Sequence, residues 1–213
     1  RVDGEPLDRA IAKHRTLAAR LALLPKVTAV AEALAFAHSR RVVHRDLKPA
    51  NVLCGAFGET VVIDWGIARD LDDASADDGD ATPKASDEGA LTLAGSVMGT
   101  PAYMPPEQAR GERVDARADV YAVGAILYEL LTGRPPYEGP SSVAVLASVL
   151  TGAPPPLDAL PADAPPELVA IARRAMARDR EGRYPDARAL ATDLERFQTG
   201  QLVGAHRYSS GDL

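Results

Sequence analysis

The sequence predicts a mostly α-helical domain with a small β element near residue 50. Two observations carry this. Segment 115–132, DARADVYAVGAILYELLT, is apolar almost all round through Val120, Tyr121, Val123, Ile126, Leu127, Leu130 and Leu131, as a centrally buried helix must be. Between residues 42 and 63 the apolar period shortens from helical to strand-like, with Val42-Val43, Val52-Leu53 and Thr60-Val61-Val62-Ile63 as short runs.

Taken in order, Leu7, Ile11, Leu17 and Leu21 mark a first helix over 7–23. Pro25 opens a second, because a first-turn proline loses no helical hydrogen bond; Val27, Val30, Ala31, Leu34 and Ala35 form its apolar face. The last two strands join through the Gly55–Gly58 turn. From Asp64 to about Arg113 only a turn of helix at 105–110 is expected. Gly133 stands where the 115–132 helix must stop, since glycine accepts the left-handed conformation of a helix end. Helices at 141–151, 166–177 and 186–198 follow, separated by proline-rich turns such as Ala153-Pro154-Pro155-Pro156.

The 213 residues, 46% hydrophobic and 25% charged, suit a folded domain. The net charge of −6 is local: residues 70–90 carry −7, leaving about +1 elsewhere, a distribution that gives no footprint for nucleic acid. The acidic stretch is poor in large apolar residues and reads as a loop. A single cysteine, Cys54, fits a reducing, cytoplasmic setting. No apolar run approaches the roughly 18–20 residues that cross a bilayer, and RVDGEPLD lacks the apolar region of a signal peptide. GQLVGAHRYSSGDL, residues 200–213, reads as a tail beyond a domain of 1–199, the start of a linker to a sensory region or membrane anchor in a longer parent.

The densest chemistry lies in VVHRDLKPANVLCGAFGETVVIDWG, residues 42–66. His44-Arg45-Asp46-Leu47-Lys48-Pro49-Ala50-Asn51 resembles the protein-kinase catalytic loop, and Asp64-Trp65-Gly66 follows a strand as the metal-binding Asp-Phe-Gly element does. Gly99-Thr100-Pro101-Ala102-Tyr103-Met104, Pro105-Pro106-Glu107, Asp119-Val120-Tyr121-Ala122-Val123-Gly124 and Arg183 continue the match in order. The chain is identified by resemblance as a bacterial serine/threonine kinase of the eukaryotic type. Asp-x-Lys-Pro-x-x-Asn points to Ser/Thr rather than Tyr. Small-molecule phosphotransferases share His-x-Asp-x-x-x-x-Asn but lack the Gly-Thr-Pro stretch that docks a peptide. Trp65 in place of Phe and Pro105 in place of Ala are departures from the pattern.

The resemblance implies roles that the chemistry supports. Phosphoryl transfer needs alignment and charge neutralisation more than covalent help. Asp46 is the expected base for the incoming hydroxyl, and Lys48 the positive charge near the γ-phosphate. Asn51 and Asp64 are the expected oxygen ligands of Mg²⁺, or of Mn²⁺, bound with ATP. His44 is expected to be structural. Asp119 is expected to hold the loop backbone, and Glu107 with Arg183 to form a buried pair anchoring the activation segment, residues 64–107. Arg45 would receive a phosphate from that segment, with Thr92 and Ser96 the nearest hydroxyls; Thr100 is expected to pair with Asp46 and Lys48. Protein substrates are the implied partners.

Other family parts are not found. ATP's phosphates are covered in the family by a Gly-rich loop and gripped by a strand lysine. This chain has no Gly-x-Gly-x-x-Gly, and none of Lys13, Lys26, Lys48 and Lys84 sits in a Val-Ala-x-Lys strand. The expectation is therefore a C-lobe whose N-lobe is missing, with an exposed lobe-facing apolar surface and weak Mg·ATP binding alone. The competing expectation is a catalytically silent lobe that docks substrates or partners.

Overall fold

A computed structural model of the chain describes residues 4–65, 69–70, 101–151, 160 and 162–209, with only the backbone of 69–70. The helices are α1 (Leu7–Lys13), α2 (Leu17–Leu21), α3 (Leu24–Ser39), α4 (Pro106–Ala109), α5 (Ala116–Thr132), α6 (Ser142–Thr151), α7 (Pro166–Ala175) and α8 (Ala187–Gln198). The strands are short: β1 (Glu5–Pro6), β2 (Val42–Val43), β3 (Val52–Cys54), β4 (Thr60–Val62) and β5 (Arg69–Asp70). The fold class read from the sequence holds.

Helix α5 is the axis of the core. Asp115 caps its start, accepting from Arg117 N at 2.8 Å, and Gly133 closes it at φ 79°. Its apolar residues are buried on every side, against α3 and α2 and against α7. Gly124 permits the α7 contact: a Cβ there would lie 2.7 Å from Ala175 Cβ, closer than packed carbons come. Helix α8 packs on α3 and α7 and completes the layer.

Two small antiparallel sheets bracket the loop that matters. Strands β1, β3 and β4 form one, with Glu5 opposite Cys54 and Val52 opposite Val62; β2 and β5 form the other, with Val42 opposite Asp70. Residues 44–51 are therefore strung between the end of β2 and the start of β3. Neither β1 nor β5 was expected. Two-residue strands carry no alternation to read, and only their partners define them.

The first helix is corrected. It breaks between Lys13 and Leu17, because His14 turns extended and Thr16 caps a new helix, its hydroxyl accepting from Ala19 N at 3.3 Å. The break directs buried Arg20 at the far end of α5, where Nε and Nη2 donate to the carbonyls of Leu130 (2.8 Å) and Leu131 (3.0 Å). These are end-of-helix carbonyls that otherwise lack partners, and a cation suits that end of the dipole. Arg20→Met should cost about 2–3 kcal/mol, read as a lowered urea midpoint; an unchanged midpoint would show that water replaces the guanidinium.

The expectation about apolar runs is also corrected. Leu17–Ser39 is long and apolar enough to cross a membrane by length and composition. Here it is divided into α2 and α3, and Val27, Val30, Ala31 and Leu34 are buried in the core. Among the described residues the exposed large apolar side chains are Phe36, Phe57, Val143 and Leu202, on four separate segments. The chain beyond Thr199 packs back on α8: Val203 is buried, and the backbone N–H groups of Gly204 and Ala205 donate to Asp193 at 2.9 and 3.0 Å.

Candidate active site

The site begins with Asp119. Its carboxylate is buried in the first turn of α5, where the helix dipole favours negative charge. Oδ2 accepts from His44 N at 2.8 Å and lies 2.8 Å from His38 Nε2; Oδ1 accepts from Arg45 N at 2.9 Å. The start of the 44–51 loop is thus fixed to the most buried helix of the fold. Arg45 sits at φ 69°, left-handed and uncommon for a side chain of its kind, and tolerated where the surroundings over-determine it.

His44 is fully buried beneath the loop. Its Nδ1 accepts from Asp46 N at 3.3 Å, and its Nε2 donates to the Ile63 carbonyl at 3.1 Å. The imidazole therefore links the turn carrying Asp46 to the end of β4, and has no lone pair left for a reacting proton. Trp65 packs beside it with ring centroids 4.6 Å apart, and its indole N–H donates to Val62 O at 3.0 Å. The aromatic that departs from the family pattern still fills the place beneath the loop.

Three predicted residues meet directly. Lys48 Nζ donates to Asp46 Oδ2 at 2.7 Å, and Asn51 Nδ2 donates to Asp46 O (2.8 Å) and Oδ2 (3.3 Å). Asp46 Oδ1 has no hydrogen bond among the described residues, and the side chain is 30% exposed. One carboxylate oxygen is thus held by two donors, and the other keeps its lone pairs free of donors among the described residues, the condition a proton acceptor must meet. Asn51 spends its amide N–H on Asp46, so its Oδ1 remains as a hard oxygen donor.

Asp64 follows Ile63, whose N–H donates to Asn51 O at 2.9 Å and whose carbonyl accepts from His44. It is exposed, at φ 65°, a conformation aspartate tolerates better than most residues. A carboxylate and an amide oxygen on adjoining turns fit Mg²⁺, which keeps most of its shell for water and phosphate. Among the described residues no group of three or more His, Cys, Asp or Glu side chains could hold a metal.

Glu107 and Arg183 lie at the other end. Arg183 Nη1 and Nη2 donate to Glu107 Oε1 and Oε2 at 2.6 and 2.9 Å, a buried two-pronged pair. The same guanidinium donates to the carbonyls of Ala177, Arg117 and Arg178. This locks α4 to the start of α5 and the turn after α7. Thr92, Ser96 and Thr100 lie outside the described residues.

Three site residues escaped the sequence reading. His38 supports Asp119. Gln108 Nε2 donates to the Arg45 carbonyl at 2.7 Å. Glu129 accepts from Tyr103 OH at 2.6 Å, beneath the Pro101–Tyr103 turn. Glu129 had a visible signal, a carboxylate set among Tyr128, Leu130 and Leu131 in an apolar helix.

Burial raises the Glu129 pKa above its ordinary 4.5, against the Tyr103 hydrogen bond, which lowers it. Burial and Glu129 push the Tyr103 phenol far up, so it stays a donor. The unfolded chain ionises Glu129 at the ordinary value while the fold holds it protonated further. The stability it contributes is full below pH 4.5 and is lost as the pH rises through the raised value. Glu129→Gln should flatten that decline in urea midpoints; an identical slope in both proteins would contradict the assignment.

The family model described as protein kinase domain matches residues 1–186. Over 204 residues, 96% of the chain, the sequence is 40% identical to serine/threonine-protein kinase PknB of Mycolicibacterium smegmatis, covering 30% of that protein. It is 37% identical over 204 residues, 96% of the chain, to the probable serine/threonine-protein kinase SCO3848 of Streptomyces coelicolor, covering 28% of it. It is 41% identical over 181 residues, 84% of the chain, to the probable kinase PknB of Bifidobacterium longum, covering 24% of it. The chain therefore spans less than a third of the length of these curated relatives. On the ordered motifs, the geometry of residues 44–51 and the match over 1–186, the chain belongs to the protein kinase family.

Proposed function

We propose that this chain supplies the catalytic and metal-holding lobe of a serine/threonine protein kinase that moves the γ-phosphoryl group of ATP to a protein hydroxyl. The observation that carries the reading is the state of Asp46, with Oδ2 held by Lys48 and Asn51 and the side chain part-exposed. The substrate oxygen forms a bond to phosphorus as the bond to the ADP oxygen breaks, and the hydroxyl proton passes to Asp46 Oδ1. Lys48, fixed against Asp46, places positive charge where negative charge grows. Asn51 Oδ1 and the Asp64 carboxylate would hold Mg²⁺, which when bound neutralises phosphate oxygens. The Pro101–Tyr103 turn, seated on Glu129, supports a peptide substrate.

The sequence holds no Gly-rich loop and no Val-Ala-x-Lys strand, so the reading assigns the phosphate grip to a lobe outside these residues. The experiment compares the 213 residues alone with a lobe-completed form, joined to a kinase N-lobe bearing both elements. With labelled ATP and Ser/Thr peptides, the completed form should yield phosphoserine or phosphothreonine, and the chain alone about a hundredfold less or nothing. A folded completed form that transfers no phosphate would favour the second reading, a silent lobe that docks partners, which the missing grip otherwise supports.

A further inference from the structure

We propose that Gln108 is a positioning residue for Asp46, acting through the backbone of Arg45; its catalytic consequence rests on the kinase reading above. Arg45, one residue before Asp46, adopts a left-handed conformation at φ 69° that an arginine does not choose unaided. Its N–H is held by Asp119 Oδ1 at 2.9 Å and its carbonyl by Gln108 Nε2 at 2.7 Å. The first hold comes from α5, the second from α4. Each fixes one end of the same residue, so the turn into Asp46 is set from two helices at once.

Packing does not replace the second hold. A cavity of about 20 Å³, lined by Arg45, Asp46, Gln108 and Asp119 among others, opens beside the bond, enough for roughly one water. Gln108 Oε1 is buried without a partner among the described residues. An apolar side chain of similar length would fill the place without burying an unsatisfied acceptor. The amide is accounted for by what its nitrogen does. Its mount is rigid: the neighbouring Glu107 is locked to Arg183. The mechanical path runs from Arg183 through Glu107 and α4 to Gln108, then to the Arg45 carbonyl and Asp46.

The test uses Gln108→Met, with Gln108→Asn, which keeps the amide but is one methylene too short, as a second variant. In the 213-residue chain as it stands, the Arg45 and Asp46 amides should exchange with solvent about tenfold faster in either variant. The Ile126 and Leu127 amides of α5 should be unchanged. Unaltered exchange at Arg45 and Asp46 would overturn the proposal. In the lobe-completed form kcat should fall about tenfold, with the peptide KM within about twofold. That loss should vanish in an Asp46→Asn background; an equal loss in both backgrounds, or none, also overturns it. Should the parent form transfer no phosphate, the kinase reading falls and the exchange result still decides the hold.

Discussion

Asp46→Asn is expected to lower phosphoryl transfer by the lobe-completed kinase about 100- to 10,000-fold while leaving its fold intact. The substitution keeps the shape of the side chain and removes its basicity. Most of what positions Asp46 survives, since Asn51 donates also to the Asp46 main-chain carbonyl and the Asp46 N–H donates to His44. The ion pair with Lys48, 19% exposed, is lost, and a partly exposed pair contributes little to stability. Initial rates at saturating ATP and peptide, with urea midpoints of both proteins, separate the two effects. A variant with full activity would remove Asp46 from the reaction, and one with a collapsed midpoint would make it a structural residue.

Arg183→Met carries the largest expected effect on stability, a loss of about 3–5 kcal/mol. The guanidinium side chain is wholly buried and that of Glu107 is 5% exposed. Removing the cation leaves a carboxylate in the interior with nothing to compensate it, and leaves the Ala177, Arg117 and Arg178 carbonyls without this donor. Replacing both residues, Arg183→Met with Glu107→Leu, should cost less than Arg183→Met alone, because no buried charge remains. Denaturation midpoints of the single and double variants measure this; a double variant as unstable as the sum of its parts would mean that the pair is not coupled.

What the sequence disclosed follows from the range of the interactions involved. Helices α3, α7 and α8 were legible because each buries one face, and α5 because it is apolar almost all round; local signals mark their ends, such as Gly133 or the Asp186 cap that accepts from Ala189 N. The motif residues were legible because spacing along the loop is itself the signal. The break at His14–Thr16 was not, since the leucine pattern runs on across it and the purpose of the break, Arg20 reaching Leu130, spans 110 positions. Strand β5 is defined by pairing with β2 alone. Gln108 was invisible for a similar reason: its partner is a main-chain carbonyl 63 positions away, and backbone acceptors leave no trace in sequence.

In the proposed site, Asn51 and Asp64 would turn their oxygens to one divalent cation beside Asp46. The direct measurement is paramagnetic broadening of the chain's amide resonances by Mn²⁺ with nucleotide, in the parent and in Asp64→Asn. The proposed site requires selective broadening around Asn51 and Asp64, and its loss in the variant. Uniform broadening, or the same pattern after Asp64 is replaced, would contradict it.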